Sequence, residues 1–284
     1  MVTRRVTQQQ SFLRPSRQTN QIVAYCIASA AEHTGVQLHA VTVMSNHWHA
    51  VLTDPQARVP EFLERVHRSI AKCLNATMGR WENFWSSDKP SIVRLVTEQD
   101  VLDKMAYVLA NPTTAGLVHS PDEWPGLITR RIGESHAIEK PEVFFDQEQD
   151  EEVRLVFIRP PIFPELDDKE LNALLIGSVQ RLVRRARDRM KAAGRSFGGV
   201  RAVLSEPLTN RPKTAAQRRK LNPRIAAKDP SSRMGAIATL KRFAAAYRVA
   251  LEAWRQGERE RLFPAGTYGL RVRAGVYCEP LVPL

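Results

Sequence analysis

The sequence predicts an α+β fold, an antiparallel sheet with helices on one face, and three observations point to it. Two β-rich runs, VQLHAVTVM (36–44) and HWHAVLT (47–53), are separated only by Ser45-Asn46, the length of a tight antiparallel hairpin. Apolar residues recur at helical spacing on both sides of that hairpin, through Ile22, Cys26 and Ala30 and again through Phe62, Val66, Ile70 and Leu74. Short β-prone runs before and after complete a β-α-β-β-α-β-α order, which suits such a sheet over residues 1–133.

In order along the chain, VTRRVT (2–7) alternates enough for a short strand, and the chain begins almost inside it. Residues 17–34 read as a helix that Gly35 ends, since glycine enters the left-handed conformation of a helix C-terminus without strain. After the hairpin, residues 60–78 resume helical spacing. A tryptophan-rich loop (GRWENFWSSDKPS) and a short strand around Val93–Val96 follow. A helix from about Glu98 should stop at or near Asn111-Pro112, because proline disfavours the helical conformation in the residue before it.

The remainder is different in character. Residues 134–165 form an acidic, proline-containing linker, although VRLVFI (153–158) would suit one more strand. Residues 166–284 read as a basic, mostly helical region. One helix lies near 167–193, its second half the run QRLVRRARDRMK. Another spans about 236–256, with Leu240, Phe243, Tyr247, Leu251 and Trp254 as its apolar stripe. Between them, RPKTAAQRRKLNPRIAAKD is too polar and too broken by proline for a core element.

Charge separates these regions. The chain of 284 residues carries a net +12. Residues 1–133 hold 14 basic and 11 acidic side chains, residues 134–170 hold 4 and 12, and residues 171–284 hold 24 and 7. A strongly basic final segment is the footprint of polyanion binding; the plainer alternative is a solvated basic surface. Arg184, Arg185, Arg187 and Arg189, with Arg218, Arg219 and Lys220, are the candidates for phosphate contacts, which would position DNA without reading it. No apolar run approaches the ~20 residues of a membrane span. The N-terminus lacks the apolar centre of a signal peptide. Cys26, Cys73 and Cys278 are widely spaced and odd in number, which suggests neither a disulfide framework nor a zinc cluster. A cytoplasmic protein with no membrane partner is expected.

The sharpest local feature is SNHWHAVL (45–52). Alternate residues of a strand share a face, so His47 and His49 point together and Trp48 points away. Two imidazoles so placed can chelate one metal ion, or they can simply be satisfied beside a sheet. On the helix DKMAYVLANP, Tyr107 and Asn111 stand one turn apart on one face. Asparagine can offer its carbonyl oxygen to a metal, and tyrosine can serve as a nucleophile. With a free pKa of ~10 the phenol needs help, and a metal that polarises a phosphate supplies it. The plain alternatives are a core aromatic and a helix cap. Imidazole by itself suits zinc, copper, iron or nickel, whereas magnesium prefers oxygen donors.

Three segments in order, VMSNHWHAVLTDP (43–55), GRWENFWSS (79–87) and YVLANPTTAGLVHSPDEWPG (107–126), carry a resemblance. Over roughly residues 1–133 the chain resembles the HUH-type tyrosine nucleases, and within them the REP-associated tyrosine transposases. FPAGTYGLR (263–271) is similar to a segment of the longer members. The resemblance implies a ferredoxin-like palm and makes His47, His49 and Asn111 ligands of a divalent metal, magnesium or manganese. It makes Tyr107 the nucleophile on single-stranded or hairpin DNA. Attack on a phosphodiester would leave a 5′-phosphotyrosine link and a free 3′-hydroxyl, and a 3′-hydroxyl could later reseal the strand without a nucleotide cofactor. Such proteins carry more residues before the first strand, so either a shortened edge or central strand or a misplaced start codon is expected here.

Two further functions stay open: a catalytically silent hairpin-DNA-binding relative, and a hydrolase in which His-x-His activates water. Monomer and homodimer are equally compatible with the sequence. Lys104, one turn before Tyr107, could lower the phenol pKa or touch phosphate, or be a solvated surface lysine. His39 suits packing on the partner strand. Asp54 suits a turn before Pro55, or else orders a histidine. Trp81, Trp85 and Trp124 could stack on bases, with packing favoured for at least two. Tyr268 and Tyr277 lack an asparagine one turn later.

Overall fold

The computed structural model describes residues 1–212 and 223–281. Its first part runs β1 (Val2–Arg5), α1 (Arg17–Thr34), β2 (Gln37–Met44), β3 (His47–Thr53), α2 (Val59–Thr77), β4 (Ser91–Ile92), β5 (Arg94–Leu95) and α3 (Glu98–Thr114). The second continues with β6 (Ser135–Glu139), β7 (Glu152–Val156), α4 (Asp168–Ala192), α5 (Gly199–Ser205), β8 (Ile225–Ala226), α6 (Pro230–Arg255) and α7 (Gly269–Ala274). Among the described residues no helix is long and apolar enough to cross a membrane.

The fold is α+β. Four strands pair antiparallel in the order β2-β3-β1-β4, so the hairpin sits at one side and β1 lies against the histidine strand. Val41, Val43, Trp48 and Ala50 face α1 and α2, where they meet Ile22, Val23, Phe62 and Val66 in one apolar cluster. The opposite face is covered too, which extends the one-sided arrangement expected. Ala40, Met44 and Val51 would be exposed apolar surface on that side. Instead Val101, Met105, Ala106 and Leu109 of α3 cover them, with Leu171 and Leu175 of α4 in the same cluster.

Local chemistry explains the ends of the helices. The Ser16 hydroxyl accepts the Thr19 N–H at 3.0 Å to start α1, and Gly35 closes it at φ 69°. Thr97 and Asp100 form a reciprocal capping box at the start of α3. α3 runs past the expected stop to Thr114, with Pro112 inside its last turn. There the proline forfeits a single helical bond. The Ala115 N–H donates to the Asn111 carbonyl (2.9 Å) and the Leu117 N–H to that of Pro112 (3.0 Å), which secures the end.

The acidic stretch expected as a linker is built into the body. β6 and β7 pair as an antiparallel hairpin, and Val153, Leu155 and Phe157 are buried in the α1 and α2 cluster. Its charged residues fall on the exposed alternate positions, so the composition hid a period of two. Downstream, β8 pairs parallel with β5. α6 then carries a small separate core in which Ala250, Phe263 and Val276 meet Tyr247, Leu251 and Trp254. FPAGTYGLR supplies Phe263 to that core, and the Phe263 N–H donates to the Tyr277 carbonyl at 2.9 Å. Its Arg271 reaches back to the carbonyls of Gln56 and Ala57, both at 3.2 Å.

Candidate functional site

The site grows out of register. β3 aligns His47 with Met44 and Arg5, and His49 with Thr42 and Thr3, so these side chains share the face that α3 covers. At the far end of the hairpin the register slips between Leu38 and Ala40, leaving His39 as the extra residue of a β-bulge. The bulge takes His39 out of the alternation. Its Nδ1–H donates to the Ile158 carbonyl and its Nε2 accepts from the Thr53 hydroxyl, both at 2.8 Å. With both nitrogens engaged, His39 is a packing residue.

The rings of His47 and His49 lie 4.7 Å apart, edge to face. Tyr107 completes the row, its ring 5.6 Å from that of His49. Each imidazole is held through Nδ1, by Asn46 Oδ1 at 2.6 Å for His47 and by Thr3 Oγ1 at 2.7 Å for His49. Asn46 Oδ1 can only accept, so Nδ1 of His47 carries the proton and its Nε2 the lone pair. Nε2 of His49 is sealed from solvent and has no hydrogen-bond partner. Burial pushes His47 down to about 4, helped by Arg5. Burial, then His47 and Arg5, hold His49 well below its usual range. At neutral pH both are uncharged, which is the ligand form of imidazole.

A buried imidazole nitrogen without a partner is what a bound divalent ion would satisfy, and the two neutral imidazoles fit one. Among the described residues no group of three or more His, Cys, Asp or Glu side chains could hold a metal ion. A third protein donor would therefore be a neutral oxygen. Tyr107 and Ala115 both line the cavity of about 460 Å³ that contains the histidines, while Asn111, four residues from each along the chain, is buried. Of the expected group, His47, His49 and Tyr107 share one cavity wall, and Asn111 is not among the residues that line it. Tyr107 is 39% exposed, and Lys104 Nζ stands over its ring at 5.6 Å from the centroid.

Several wall residues escaped the sequence reading, four of them with side chains that bear on the chemistry. Thr3 and Arg5 come from β1, and Glu206 and Asn210 follow α5. The latter segment is pinned by Arg14 Nη1 donating to the Glu206 carbonyl (2.7 Å) and by the Ser11 N–H donating to that of Leu208 (2.9 Å). Strand alternation marks Thr3 and Arg5 as a pair, but only the pairing of β1 with β3 brings them to the histidines. No local signal announces Glu206.

The other candidates separate cleanly. Arg185 and Arg189 line a cavity with Tyr107, whereas Arg184 and Arg187 line another beside Asp122 and Asp188. Arg218, Arg219 and Lys220 lie outside the described residues. Trp85 and Trp124 are packing residues whose indole N–H groups donate to the carbonyls of His67 (2.7 Å) and Val43 (3.0 Å). Trp81 is 87% exposed. Asp54 serves the turn, accepting the N–H groups of Arg58 and Val59 at the start of α2. Tyr268 and Tyr277 are absent from the wall of the histidine cavity.

No family model matches the chain, and no curated protein matches its sequence. Among solved structures it is similar to a REP-associated tyrosine transposase bound to a REP hairpin. The identity is 16% and the TM-score 0.36, over 44% of this chain and 72% of that one.

Proposed function

We propose that this protein is a metal-dependent single-strand DNA endonuclease and strand transferase acting on hairpin-forming DNA through Tyr107. The observation that carries the reading is the row His47, His49, Tyr107, with both imidazoles fixed through Nδ1 and the His49 Nε2 left without a partner. A nucleophile beside a pair of neutral imidazoles suits phosphoryl transfer better than water activation, because the phenol already occupies the attacking position. Charge supports DNA as the substrate, since residues 171–284 hold 24 basic side chains against 7 acidic ones.

His47, His49 and the Asn111 amide oxygen would hold the ion, which supplies polarisation of the scissile phosphate and stabilisation of its developing charge. Arg5 sets positive charge in the same cavity wall, where a phosphate would sit. Lys104, over the ring, adds positive charge beside Tyr107. The Tyr107 oxygen forms a bond to phosphorus as the bond to the 3′-oxygen breaks. The phenol proton passes to solvent, and the departing 3′-oxygen takes one up. Reversal by a 3′-hydroxyl reseals a strand and frees the tyrosine.

The test uses labelled single-stranded hairpin oligonucleotides from the DNA flanking the gene, incubated with protein and magnesium or manganese and run on a denaturing gel. The expected result is a labelled protein band that is lost in Tyr107→Phe. No band from either protein, with salt-sensitive binding retained in both, would assign the silent hairpin-binding role instead. Cleavage without a band would assign the hydrolase.

A further inference from the structure

Tyr107 stands in the walls of two cavities rather than one. On one side lies the histidine cavity. On the other, a cavity of about 440 Å³ is lined by Tyr107, Thr114, Leu182, Arg185 and Arg189. The second exists because α4 packs along α3, which the buried Val108 and Leu109 of α3 and Leu171 and Leu175 of α4 hold in place. Arg185 and Arg189 are one turn apart on α4 and so share a face.

Neither guanidinium has an ion-pair partner among the described residues. Among the described residues Arg185 has no hydrogen-bond or ion-pair partner, and Arg189 makes only a long contact, Nη2 to the Thr114 carbonyl at 3.4 Å. No carboxylate lines their cavity. Their neighbours on the helix are occupied differently: Arg187 donates twice to the His119 carbonyl (3.1 and 3.0 Å), and the cavity it shares with Arg184 contains Asp122 and Asp188. Two free guanidiniums beside a hydroxyl and an apolar floor form a seat for a phosphodiester, since the fork geometry of arginine matches phosphate oxygens.

We infer that Arg185 and Arg189 seat the phosphate next to the scissile one, so that the bound strand passes over Tyr107 from the histidine cavity into the arginine cavity. This rests on the reading of Tyr107 as nucleophile on a DNA strand. It adds that α4, from the basic half of the chain, is part of the reaction site, with Arg185 and Arg189 as positioning residues. They hold the phosphate ladder so that the scissile unit lies against the phenol.

Two measurements test this with the full chain and the same hairpin oligonucleotides. In the Tyr107→Phe background, which binds without reacting, the salt dependence of affinity is compared with and without Arg185→Gln/Arg189→Gln. Loss of two single-strand phosphate contacts should flatten the log–log slope by about 1.4, at roughly 0.7 per contact. An unchanged slope overturns the seat. In reactive protein, a neutral methylphosphonate is placed at each phosphate flanking the mapped cleavage point. At one of them adduct formation should slow by about tenfold or more, the loss expected of a charge-assisted hydrogen bond. In Arg185→Gln/Arg189→Gln that substitution should cost nothing further. Additive losses overturn the inference, whereas absence of any adduct from the parent protein overturns the reading of Tyr107 and leaves the salt slope to decide the seat.

Discussion

Trp48 and His49 are neighbours in the chain and finish on opposite sides of the sheet. Trp48 is fully buried against the α1 and α2 cluster, its ring 5.8 Å from that of His67. His49 is almost as deeply buried, at 5% exposure, yet it is fixed by one hydrogen bond to Thr3 and keeps a bare nitrogen. On the first face burial is put to use as volume and close packing. On the second it leaves an imidazole nitrogen without a partner in a residue of the cavity wall. The comparison teaches that depth of burial alone says little about role. Trp48 Nε1 is buried without a partner as well, but an indole N–H can only donate, whereas His49 stands in the wall of the cavity it shares with His47 and Tyr107 and its imidazole can act as a ligand.

The strongest way to break that contrast is at the edge of the second face. Tyr107→Phe should abolish covalent DNA linkage altogether, read as loss of the labelled band. It should change stability by no more than about 0.5 kcal/mol, because the phenol is partly exposed and without a hydrogen-bond partner among the described residues. Next come the two neighbours. Trp48→Ala should cost about 3–5 kcal/mol in a urea melt, the usual range for a large aromatic removed from a core. His49→Ala should leave metal-free stability within about 1 kcal/mol, because it also removes an unsatisfied buried atom, while any rise in melting temperature on adding manganese disappears. Equal destabilisation by the two substitutions would erase the distinction drawn here.

A finer test is Thr3→Val, which keeps the shape of the side chain and removes the bond to His49 Nδ1. Metal affinity should fall about 10- to 100-fold by titration calorimetry, with the fold retained. The smallest effect concerns pH. Burial lowers His39 to about 4 and His67 to about 3, so the unfolded chain takes up their protons first. Their contribution to stability is complete above about pH 6.5 and declines as pH falls towards those values. The melting temperature should therefore drop between pH 7 and 5, and His67→Phe should make the decline shallower. A pH-independent melting curve over that range would contradict the burial of both rings.

Much of this was legible in the sequence, and the reason is locality. The period of two in HWHAVLT sets His47 and His49 on one side without reference to the rest of the chain. The turn between Tyr107 and Asn111 does the same on a helix. The hairpin, α1 and α2 were equally local. What escaped depended on distant partners. Pairing of β1 with β3 delivers Thr3 and Arg5, and the packing of α4 on α3 turns two of four adjacent arginines towards Tyr107 and two away. The β6–β7 hairpin was masked by acidic residues at its solvent positions. The bulge at His39 leaves no mark in the sequence, since an inserted residue looks like any other until a partner strand is laid beside it.

The segment pinned at Glu206 and Leu208 has a consequence for timing. Synthesis proceeds from the N-terminus, so His47, His49, Tyr107 and Asn111 leave the ribosome before α4 and α5 do. The cavity still lacks the wall that Glu206 and Asn210 provide, and Tyr107 still lacks Arg185 and Arg189 beside it. The histidines and Tyr107 come first and the rest of their surroundings comes last. A chain interrupted between the two carries His47, His49 and Tyr107 without the cavity walls that Glu206, Asn210, Arg185 and Arg189 provide, whereas a finished chain has them.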